Sequence, residues 1–233
     1  MGEINKKSVG ALVVAAGKGS RMGLGFNKVL ALLDGRPVLK WSVDTLIQSG
    51  LVGSLVLVVN PQEEDAVREI CVEYAGNFPI GFVHGGKERQ DSVARGLSAL
   101  PKETEIVLIH DGARPFVSED ILKRSIESAW AHGAACAAVP AKDTVKIADE
   151  SLCIEDTPDR SRVWLAQTPQ SFRMELIRKV YEKALSEGLA GTDDAGLAEL
   201  CGHKVHLFEG SYSNIKLTSP EDLLIAGLLA GKK

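Results

Sequence analysis

Apolar, β-branched runs alternate with amphipathic segments along most of this chain, and this alternation limits the folds open to it more than any other feature. The apolar runs are short and continuous, as strands buried on both faces of a sheet should be. They lie at residues 11–15, 55–59, 80–83, 106–109 and 134–139. Helical spacing or helix-capping residues occupy the segments 61–74, 89–100 and 118–133. Strands that alternate with helices predict an α/β fold, a Rossmann-like and mostly parallel sheet with helices on both faces.

The alternation breaks after Pro140. Residues 141–161 are polar, fit no helical period and are too long for an ordinary connection between a strand and a helix. A projecting hairpin and a disordered loop are both open interpretations of this segment. Because a hairpin that carries Arg160 would need support from a neighbour, we favour a projecting β-arm used in dimerisation.

The pattern of strands and helices resumes beyond this arm. The remaining predicted elements are a helix that starts at Thr168-Pro169, a helix capped by residues 192–194 that closes at Gly202, a strand over 204–208 and a last helix capped at Ser219. No internal repeat or interdomain linker interrupts the sequence. We therefore expect residues 1–233 to form one domain.

A glycine-rich, cationic loop follows the first predicted strand. Residues 15–28 hold four glycines within nine residues, together with one arginine and two lysines. Such a loop exposes backbone N–H groups and lets amides and cations converge on one anion, so it suits a polyphosphate. A strand-to-helix turn with solvated charges is the alternative interpretation.

Two well-known phosphate-binding motifs do not fit this loop. The dinucleotide fingerprint Gly-x-Gly-x-x-Gly matches at Gly17 and Gly19, but its last position is Met22. The nearest match to a P-loop ends at Gly86-Lys87, where Glu88 replaces the hydroxyl residue that would hold magnesium. A nicotinamide oxidoreductase and a P-loop NTPase are therefore disfavoured.

Composition excludes several other classes of protein. The net charge is −4, aromatic residues make up 5% of the chain and no basic stripe is present, so nucleic acid is not an expected partner. The four cysteines share no metal-type spacing and indicate core residues in a reducing compartment. No apolar run approaches the ~20 residues needed to span a bilayer. We expect a cytoplasmic protein with no membrane partner.

Residues that suit phosphate chemistry gather where ligands bind in open α/β sheets, beyond the carboxyl ends of the strands. The loops 15–28, 85–89 and 111–114 all follow predicted strands, and Thr168 and Lys216 follow later ones. The set holds several cations and the carboxylate of Asp111, without a Ser-His-Asp or Cys-His pairing. It suits phosphoryl or nucleotidyl transfer, in which the protein positions reactants and neutralises charge. Taken singly, Asp111 could equally start a turn, and Lys216 could be a solvated lysine.

The ordered set of motifs closely resembles the 2-C-methyl-D-erythritol 4-phosphate cytidylyltransferases of the non-mevalonate isoprenoid pathway. The resemblance covers nearly the whole chain, and the motifs after the first loop are the more specific ones. The matching segments are 15–22, 85–93, 110–115, 143–146, 168–170, 192–195 and 214–216.

This resemblance implies the transfer of CMP from CTP to 2-C-methyl-D-erythritol 4-phosphate, giving 4-diphosphocytidyl-2-C-methyl-D-erythritol and pyrophosphate, with Mg²⁺ or another divalent cation. It implies Arg21, Lys28 and Lys216 as catalytic residues. The implied nucleotide-binding residues are Ala15, Ala16, Gly17, Gly19, Gly86, Ser92 and Asp111, with Asp111 also at the metal. The implied acceptor-binding residues are Arg114, Thr144, Arg160, Thr168 and Thr192. Thr144 and Arg160 lie in the arm, which in a homodimer would reach the partner's acceptor site.

The sequence departs from the family's pattern at three positions, in two loops. The family usually has Pro-Lys-Gln where this chain reads Asn27-Lys28-Val29, and it often has an acid where this chain has Lys87. The nearest alternative is a ribitol-5-phosphate cytidylyltransferase. The pairs Ala15-Ala16 and Ser92-Val93 favour the erythritol enzyme over it. Another sugar- or polyol-phosphate nucleotidyltransferase is a more distant alternative. A nucleotide-sugar glycosyltransferase is disfavoured because the sequence has no Asp-x-Asp metal pair. A non-catalytic nucleotide-binding module is disfavoured because Lys28 and Lys216 are both present.

Overall fold

A seven-stranded sheet organises the part of the chain that the computed structural model describes, residues 5–17, 26–74 and 76–231. In spatial order its strands are β11 (His206–Glu209), β7 (Ala134–Pro140), β10 (Trp164–Arg173), β6 (Ile106–Asp111), β1 (Val9–Val14), β4 (Ser54–Val59) and β5 (Ile80–His84). Strand β10 runs antiparallel to both of its neighbours, and the other pairings are parallel. The predicted mostly parallel sheet is confirmed.

Helices cover both faces of this sheet, as predicted. One face carries α1 (Val38–Gln48), α2 (Glu64–Ile70) and α4 (Glu119–His132), and the other carries α3 (Arg89–Ala99), α5 (Met174–Glu187) and α6 (Asp194–Leu200). Successive side chains of a strand point to opposite faces. Accordingly, Ala11 and Val13 join the first core while Leu12 joins the second.

A smaller apolar cluster lies beside the main sheet. Helix α7 (Pro220–Ala230) packs there against the hairpin of β2 (Leu32–Leu33) and β3 (Arg36–Pro37). The hairpin and α1 have no counterpart among the sequence predictions. The predicted start of the last helix is confirmed, because Ser219 and Asp222 form a capping box across its first turn.

The prediction of a helix starting at Thr168-Pro169 is wrong. These residues lie within β10, with a cis peptide bond between them, and the helix begins at Met174. A hydroxyl residue followed by proline resembles a helix start, but proline is also accepted at bulges in strands. The pairing of β10 with β7 shifts register between Ala166 and Gln170, so the proline lies at such an irregularity. The pairing of β10 with β6 and β7 favours a strand here more strongly than the Thr-Pro sequence favours a helix start.

Two further boundaries differ from the predictions. The segment predicted as one helix over 61–74 is divided into a 3-10 turn Pro61–Glu63, α2 and a 3-10 turn Val72–Tyr74. The strand predicted over 204–208 is β11, which begins at His206. Local capping and apolar residues indicate that an element exists more reliably than they indicate where it ends.

The polar segment after β7 forms a small hairpin outside the main sheet. Strands β8 (Ile147–Ala148) and β9 (Ile154–Asp156) pair antiparallel in a two-stranded sheet of their own. A 3-10 turn, Arg160–Arg162, then leads into β10. We call residues 141–161 the arm; its predicted hairpin is present. Among the helices that the structure describes, none has both the length and the apolar character needed to cross a bilayer.

Candidate active site

A cleft of about 450 Å³ opens at the carboxyl ends of β1, β5 and β6. This is the edge at which ligands bind in open α/β sheets. Residues from five stretches of the chain meet there. The lining residues are Val14, Ala15, Ala16, Gly17, Asn27, Lys28, Val29, Gly86, Lys87, Glu88, Arg89, Ser92, Asp111, Ala113 and Lys216.

Close packing of small residues brings the loop after β5 against the end of β1. A Cβ atom at Gly85 would lie 2.4 Å from the Cβ of Ala16, and one at Gly86 would lie 2.2 Å from the Cβ of Asp91. Neither position can accept a larger residue without a shift of its neighbours. The hydroxyl of Ser92 accepts the Gly86 N–H at 2.9 Å and donates to the Glu88 carbonyl at 3.0 Å. Ser92 therefore shapes the glycine turn at the cleft.

Asp111 is the centre of charge in the cleft. Its carboxylate lies 2.8 Å from Lys216 Nζ, 3.5 Å from Arg89 and 3.9 Å from Arg114 Nε. Burial alone would raise the pKa of Asp111, but the charges of Arg89 and Lys216 outweigh it and hold that pKa well below its usual range. Asp111 is therefore ionised at neutral pH, and it holds the cations beside it in place.

A second buried carboxylate anchors Arg89 from behind the cleft. Arg89 donates to Asp194 at 2.8 Å, and Asp194 also accepts the hydroxyl of Tyr181 at 2.6 Å. Asp194 is 1% exposed. Burial would lower the pKa of Arg89, but Asp194 and Asp111 raise it instead, so the guanidinium stays charged between them. The side chain of Arg89 thus links the core of α6 to Asp111.

A chain of buried hydrogen bonds fixes the backbone at Asp111. The Asp111 N–H donates to Thr168 Oγ1 at 3.0 Å, and that hydroxyl lies 3.0 Å from His110 Nδ1. The other ring nitrogen, Nε2, is 3.1 Å from the Arg114 carbonyl oxygen, which can only accept, so Nε2 carries the proton. Nδ1 then accepts from Thr168. Burial lowers the pKa of His110 to about 4, so the ring is neutral at pH 7.

Most of the predicted nucleotide-site and catalytic residues within the described part of the chain come together in this cleft. They are Ala15, Ala16, Gly17, Lys28, Gly86, Ser92, Asp111 and Lys216. Arg114 and Thr168 contact Asp111 from beneath, and Arg114 also donates to the Asn214 carbonyl at 2.7 Å. Gly19 and Arg21 lie outside the described residues.

The other predicted acceptor-binding residues do not line this cleft. Thr144 and Arg160 are exposed on the arm, where Arg160 donates to the Lys142 carbonyl at 2.9 Å. Thr192 is exposed just before α6. Within the described part of one chain, these three residues remain separate from the residues around Asp111.

Three polar residues near the cleft were not predicted as site residues. Arg89 lies in the matching segment 85–93, but the resemblance implies no role for it, and Asp194 lies next to the capping residue Asp193. The sequence Thr192-Asp193-Asp194 offers two acids where a cap needs one, and the second acid was the available signal. The third, Asn27, stands where the family usually has proline. This departure from the family's pattern was the available sign that Asn27 has a role at the site.

Asp111 is the carboxylate at the cleft that could hold a divalent cation shared with a phosphate. Among the described residues, no group of three or more histidine, cysteine, aspartate or glutamate side chains could hold a metal ion. Mg²⁺ commonly takes one or two carboxylates and completes its shell with water and substrate phosphates. The ionised Asp111 at the cleft is such a carboxylate, although Lys216 would have to yield part of its contact.

The sheet order and the cationic cleft around one carboxylate define an α/β protein of the nucleotidyltransferase type. The chain belongs to the family described as 2-C-methyl-D-erythritol 4-phosphate cytidylyltransferase, whose model matches residues 9–231. The resemblance drawn from the motifs is thereby confirmed.

Relatives and solved structures agree with this assignment. A 2-C-methyl-D-erythritol 4-phosphate cytidylyltransferase of Caldanaerobacter subterraneus subsp. tengcongensis is 46% identical over 226 residues, 97% of this chain and 100% of the relative. Another, of Geotalea uraniireducens, is 47% identical over 221 residues, 94% of each chain. The crystal structure of a 4-diphosphocytidyl-2C-methyl-D-erythritol synthase from Anaerococcus prevotii has a TM-score of 0.87 at 35% identity, covering 97% of this chain and 100% of that one.

Proposed function

We propose that this protein transfers CMP from CTP to 2-C-methyl-D-erythritol 4-phosphate, releasing pyrophosphate and serving isoprenoid precursor biosynthesis. Family membership over residues 9–231 supports the substrates. The observation that carries the chemistry is the meeting of Asp111, Arg89, Lys216 and Lys28 at one cleft.

The reaction is a direct displacement at phosphorus. A phosphate oxygen of the acceptor forms a bond to the α-phosphorus of CTP, and the bond from that phosphorus to the bridging oxygen breaks. The electron pair of the broken bond leaves with pyrophosphate. A phosphate monoester is mostly ionised at neutral pH, since its second pKa is near ~6. The acceptor is therefore already a nucleophile, and the mechanism asks no side chain to act as a general base.

The protein's main task is to bring two anions together. Lys28 and Lys216 reach the cleft from different segments, one after β1 and one after β11. Their positive charges offset the repulsion between the triphosphate and the acceptor phosphate. Asp111 holds Lys216 and Arg89 in position, so these cations are arranged before the substrates arrive. Such preorganisation lowers the cost of reorganisation during the reaction.

A divalent cation, for which Mg²⁺ is our choice, is the cofactor that we propose. Asp111 would hold it together with phosphate oxygens, and the ion would supply further positive charge to the phosphates. The pKa of Asp111, held well below its usual range, keeps the carboxylate available as a ligand.

The acceptor site is proposed to be completed by the arm of a second subunit in a homodimer. The arm and its junction with β10 expose apolar side chains that a partner could cover, including Leu152, Ile154 and Leu165 at 86%, 62% and 50%. Thr144 and Arg160 are also exposed there rather than lining the cleft of their own chain. A swapped arm would account for both observations.

The compartment that we propose is the cytoplasm. All four cysteines lie in the described part of the chain as free thiols. Cys71, Cys136 and Cys201 are buried, as predicted for core residues, but the prediction is wrong for Cys153, which is exposed on the arm. Exposed free thiols are compatible with a reducing compartment.

Pyrophosphate release tests the proposed function. The purified protein is assayed with each of the four nucleoside triphosphates against 2-C-methyl-D-erythritol 4-phosphate, ribitol 5-phosphate and other polyol phosphates, with and without Mg²⁺. We expect release that requires CTP, the erythritol phosphate and Mg²⁺ together. Preferential use of ribitol 5-phosphate would contradict the proposed acceptor, and release without any divalent ion would contradict the proposed cofactor.

A further inference from the structure

Asn27, the residue before Lys28, is buried in a way that is unusual for an asparagine. It is 2% exposed. Its Oδ1 accepts the Val29 N–H at 3.3 Å and so caps the 3-10 turn Lys28–Leu30. Its Nδ2 donates to the Ala15 carbonyl oxygen at 2.6 Å. One side chain thus caps the turn that carries Lys28 and ties that turn to the end of β1.

Glu63, from the turn that follows β4, completes the bonding of Asn27. One of its carboxylate oxygens accepts the backbone N–H of Asn27 at 3.2 Å, and the other accepts Nδ2 at 2.9 Å. The two residues are 36 positions apart in the sequence. Because a carboxylate accepts through both oxygens and an amide through only one, this double contact favours an acid at position 63. We call this pair the Asn27–Glu63 clasp.

We propose that the Asn27–Glu63 clasp is a positioning device that holds Lys28 in place for CMP transfer. This inference rests on the proposed function. The clasp joins three segments beside the cleft: the end of β1, the turn of Lys28 and the turn after β4. A charged group that must meet a transition state loses much of its effect when it shifts by about 1 Å.

The backbone conformation of Asn27 explains how the clasp can replace a proline. The φ angle of Asn27 is −68°, close to the value of about −65° that a proline ring imposes. The family's usual proline would hold this angle covalently, but it has no N–H to donate to Glu63. In this chain the hydrogen bonds between Asn27 and Glu63 hold the φ angle that a proline ring would otherwise fix.

The far side of the same turn is anchored differently. Val29 is 3% exposed and packs in the main core with residues of α1 and β1. That packing does not include the side chains of Asn27 or Glu63, so it should survive the loss of either one. Removing the clasp should therefore leave the protein folded while Lys28 gains freedom to move, which separates a positioning role from a purely structural one.

The test compares Asn27→Ala, Glu63→Gln and the double variant with the parent protein in the pyrophosphate assay. Each single change should lower kcat roughly 10- to 100-fold, while KM for CTP and for the acceptor changes by no more than about threefold. Since both residues belong to one unit, the double variant should lose no more than Asn27→Ala alone. Thermal unfolding confirms that each variant is folded.

Asn5→Ala is the matched control. Asn5 also caps a three-residue 3-10 turn, Lys6–Ser8, by accepting the Lys7 N–H at 3.1 Å, and its φ angle is also −68°. It lies before β1, at the edge of the sheet opposite the cleft. Its loss should leave kcat unchanged, because it removes the same kind of cap far from Lys28.

Rescue by Asn27→Pro makes the test specific to the clasp. A proline holds φ without a partner, so Glu63→Gln should change kcat by no more than about twofold in the Asn27→Pro background. In the parent background the same change should be severe. No general loss of stability would produce this dependence on the residue at position 27.

The outcomes separate the two proposals. If the parent protein releases no pyrophosphate, the proposed function fails and the positioning role fails with it. If the parent is active and Lys28→Ala is not, but Asn27→Ala and Glu63→Gln stay within about twofold of the parent, only the clasp is overturned. Additive losses in the double variant, or a Glu63→Gln effect that persists in the Asn27→Pro background, would overturn it as well.

Discussion

At the scale of single residues, Lys28 is the side chain on which the proposed chemistry depends most. It stands at the start of a short turn between the end of β1 and the first hairpin, and it lines the cleft with Asp111 and Lys216. A cation at this position can meet charge that builds up as the α-phosphorus becomes five-coordinate. Its contribution should then appear mainly in the transition state.

Lys28→Ala should lower kcat by roughly 10²–10³, the cost of losing one donor to a developing charge. CTP binding should weaken far less, and isothermal titration of the variant with CTP measures that directly. Lys87→Ala removes a charge from the exposed rim of the same cleft and serves as the comparison. A kcat for Lys28→Ala within a few-fold of the parent would show that its assigned role is wrong.

Base selection is also expected to depend on a few residues. The loop that contains Gly86 is held by the Ser92 hydroxyl and by a capping box between Glu88 and Asp91 at the start of α3. Backbone groups fixed in this way can read the edge of a cytosine, and a purine would be too large. UTP exchanges a donor for an acceptor and would leave buried polar groups unpaired, at about 1–3 kcal/mol each.

We therefore expect kcat/KM to be highest for CTP, poor for UTP and lowest for ATP and GTP. The measurement compares the four nucleotides at saturating acceptor and Mg²⁺. Equal efficiency with UTP would show that Gly86 and Ser92 do not read the base, even if CMP transfer itself were observed.

Some of the site's residues could be predicted singly, but their connections could not. Asp111 stands at the end of a strand and Lys216 follows one, and such positions mark both residues in the sequence. The contact between Asn27 and Glu63 joins two loops 36 residues apart, and the contact between Arg89 and Asp194 spans 105 residues. No local pattern indicates which distant acid will meet which donor, because tertiary packing alone decides it.

At the scale of secondary-structure elements, the buried parallel strands were the easiest to predict. The run Leu55–Val59 is apolar at every position, as expected of a strand buried on both faces. The structure buries every residue of β4. Strand β10 was missed because Thr168-Pro169 imitates a helix start, while its partners β6 and β7 are distant in sequence. The position of β10, antiparallel between β6 and β7, depends on the whole sheet. Local capping residues therefore carry no information about it.

The arm is the element whose proposed role is easiest to test by complementation. If Thr144 and Arg160 complete the acceptor site of a second subunit, Arg160→Ala and Lys28→Ala damage opposite halves of a composite site. Mixing the two inactive variants should restore up to about a quarter to a half of parental activity, because mixed dimers hold one intact site. Subunit exchange is verified first with differently tagged copies. Verified exchange without recovered activity would exclude the swapped arm.

At the scale of the whole molecule, the proposed active site and the core are connected through His110. This residue is 0% exposed within β6, directly before Asp111. Its ring links Thr168 of β10 to the carbonyl of Arg114, so three parts of the molecule depend on its neutral form. A proton on Nδ1 would set a donor against the Thr168 hydroxyl, which already accepts the Asp111 N–H and would have to turn. The protein should therefore resist protonation of His110.

We therefore expect the free energy of unfolding of the whole protein to fall as the pH is lowered. Burial lowers the pKa of His110 to about 4 in the folded protein, against 6.5 for an ordinary histidine. Above pH 6.5 the ring is neutral in both states and contributes no pH dependence. Between pH 6.5 and 4 the unfolded chain binds a proton that the folded chain does not, so the free energy of unfolding should fall by about 3 kcal/mol across this window. The lowered pKa of Asp111 acts mainly at and below the lower end of this range, because an unfolded aspartate takes up its proton around pH 3.8.

Urea unfolding of the parent and of His110→Gln, at steps between pH 7.5 and 4.5, measures the effect. The free energy of unfolding of the variant should fall less steeply with acidity, because position 110 no longer binds a proton in the unfolded state. His203→Gln is the control: His203 lies between α6 and β11 and outside the residues that line the cleft, so its replacement should leave the steep component in place. NMR titration of the parent gives an independent measure, since the ring signals of His110 should not shift until the pH approaches about 4. Equal slopes for parent and His110→Gln, or a His110 ring that titrates near 6.5, would show that the neutral ring does not hold these three parts of the molecule together.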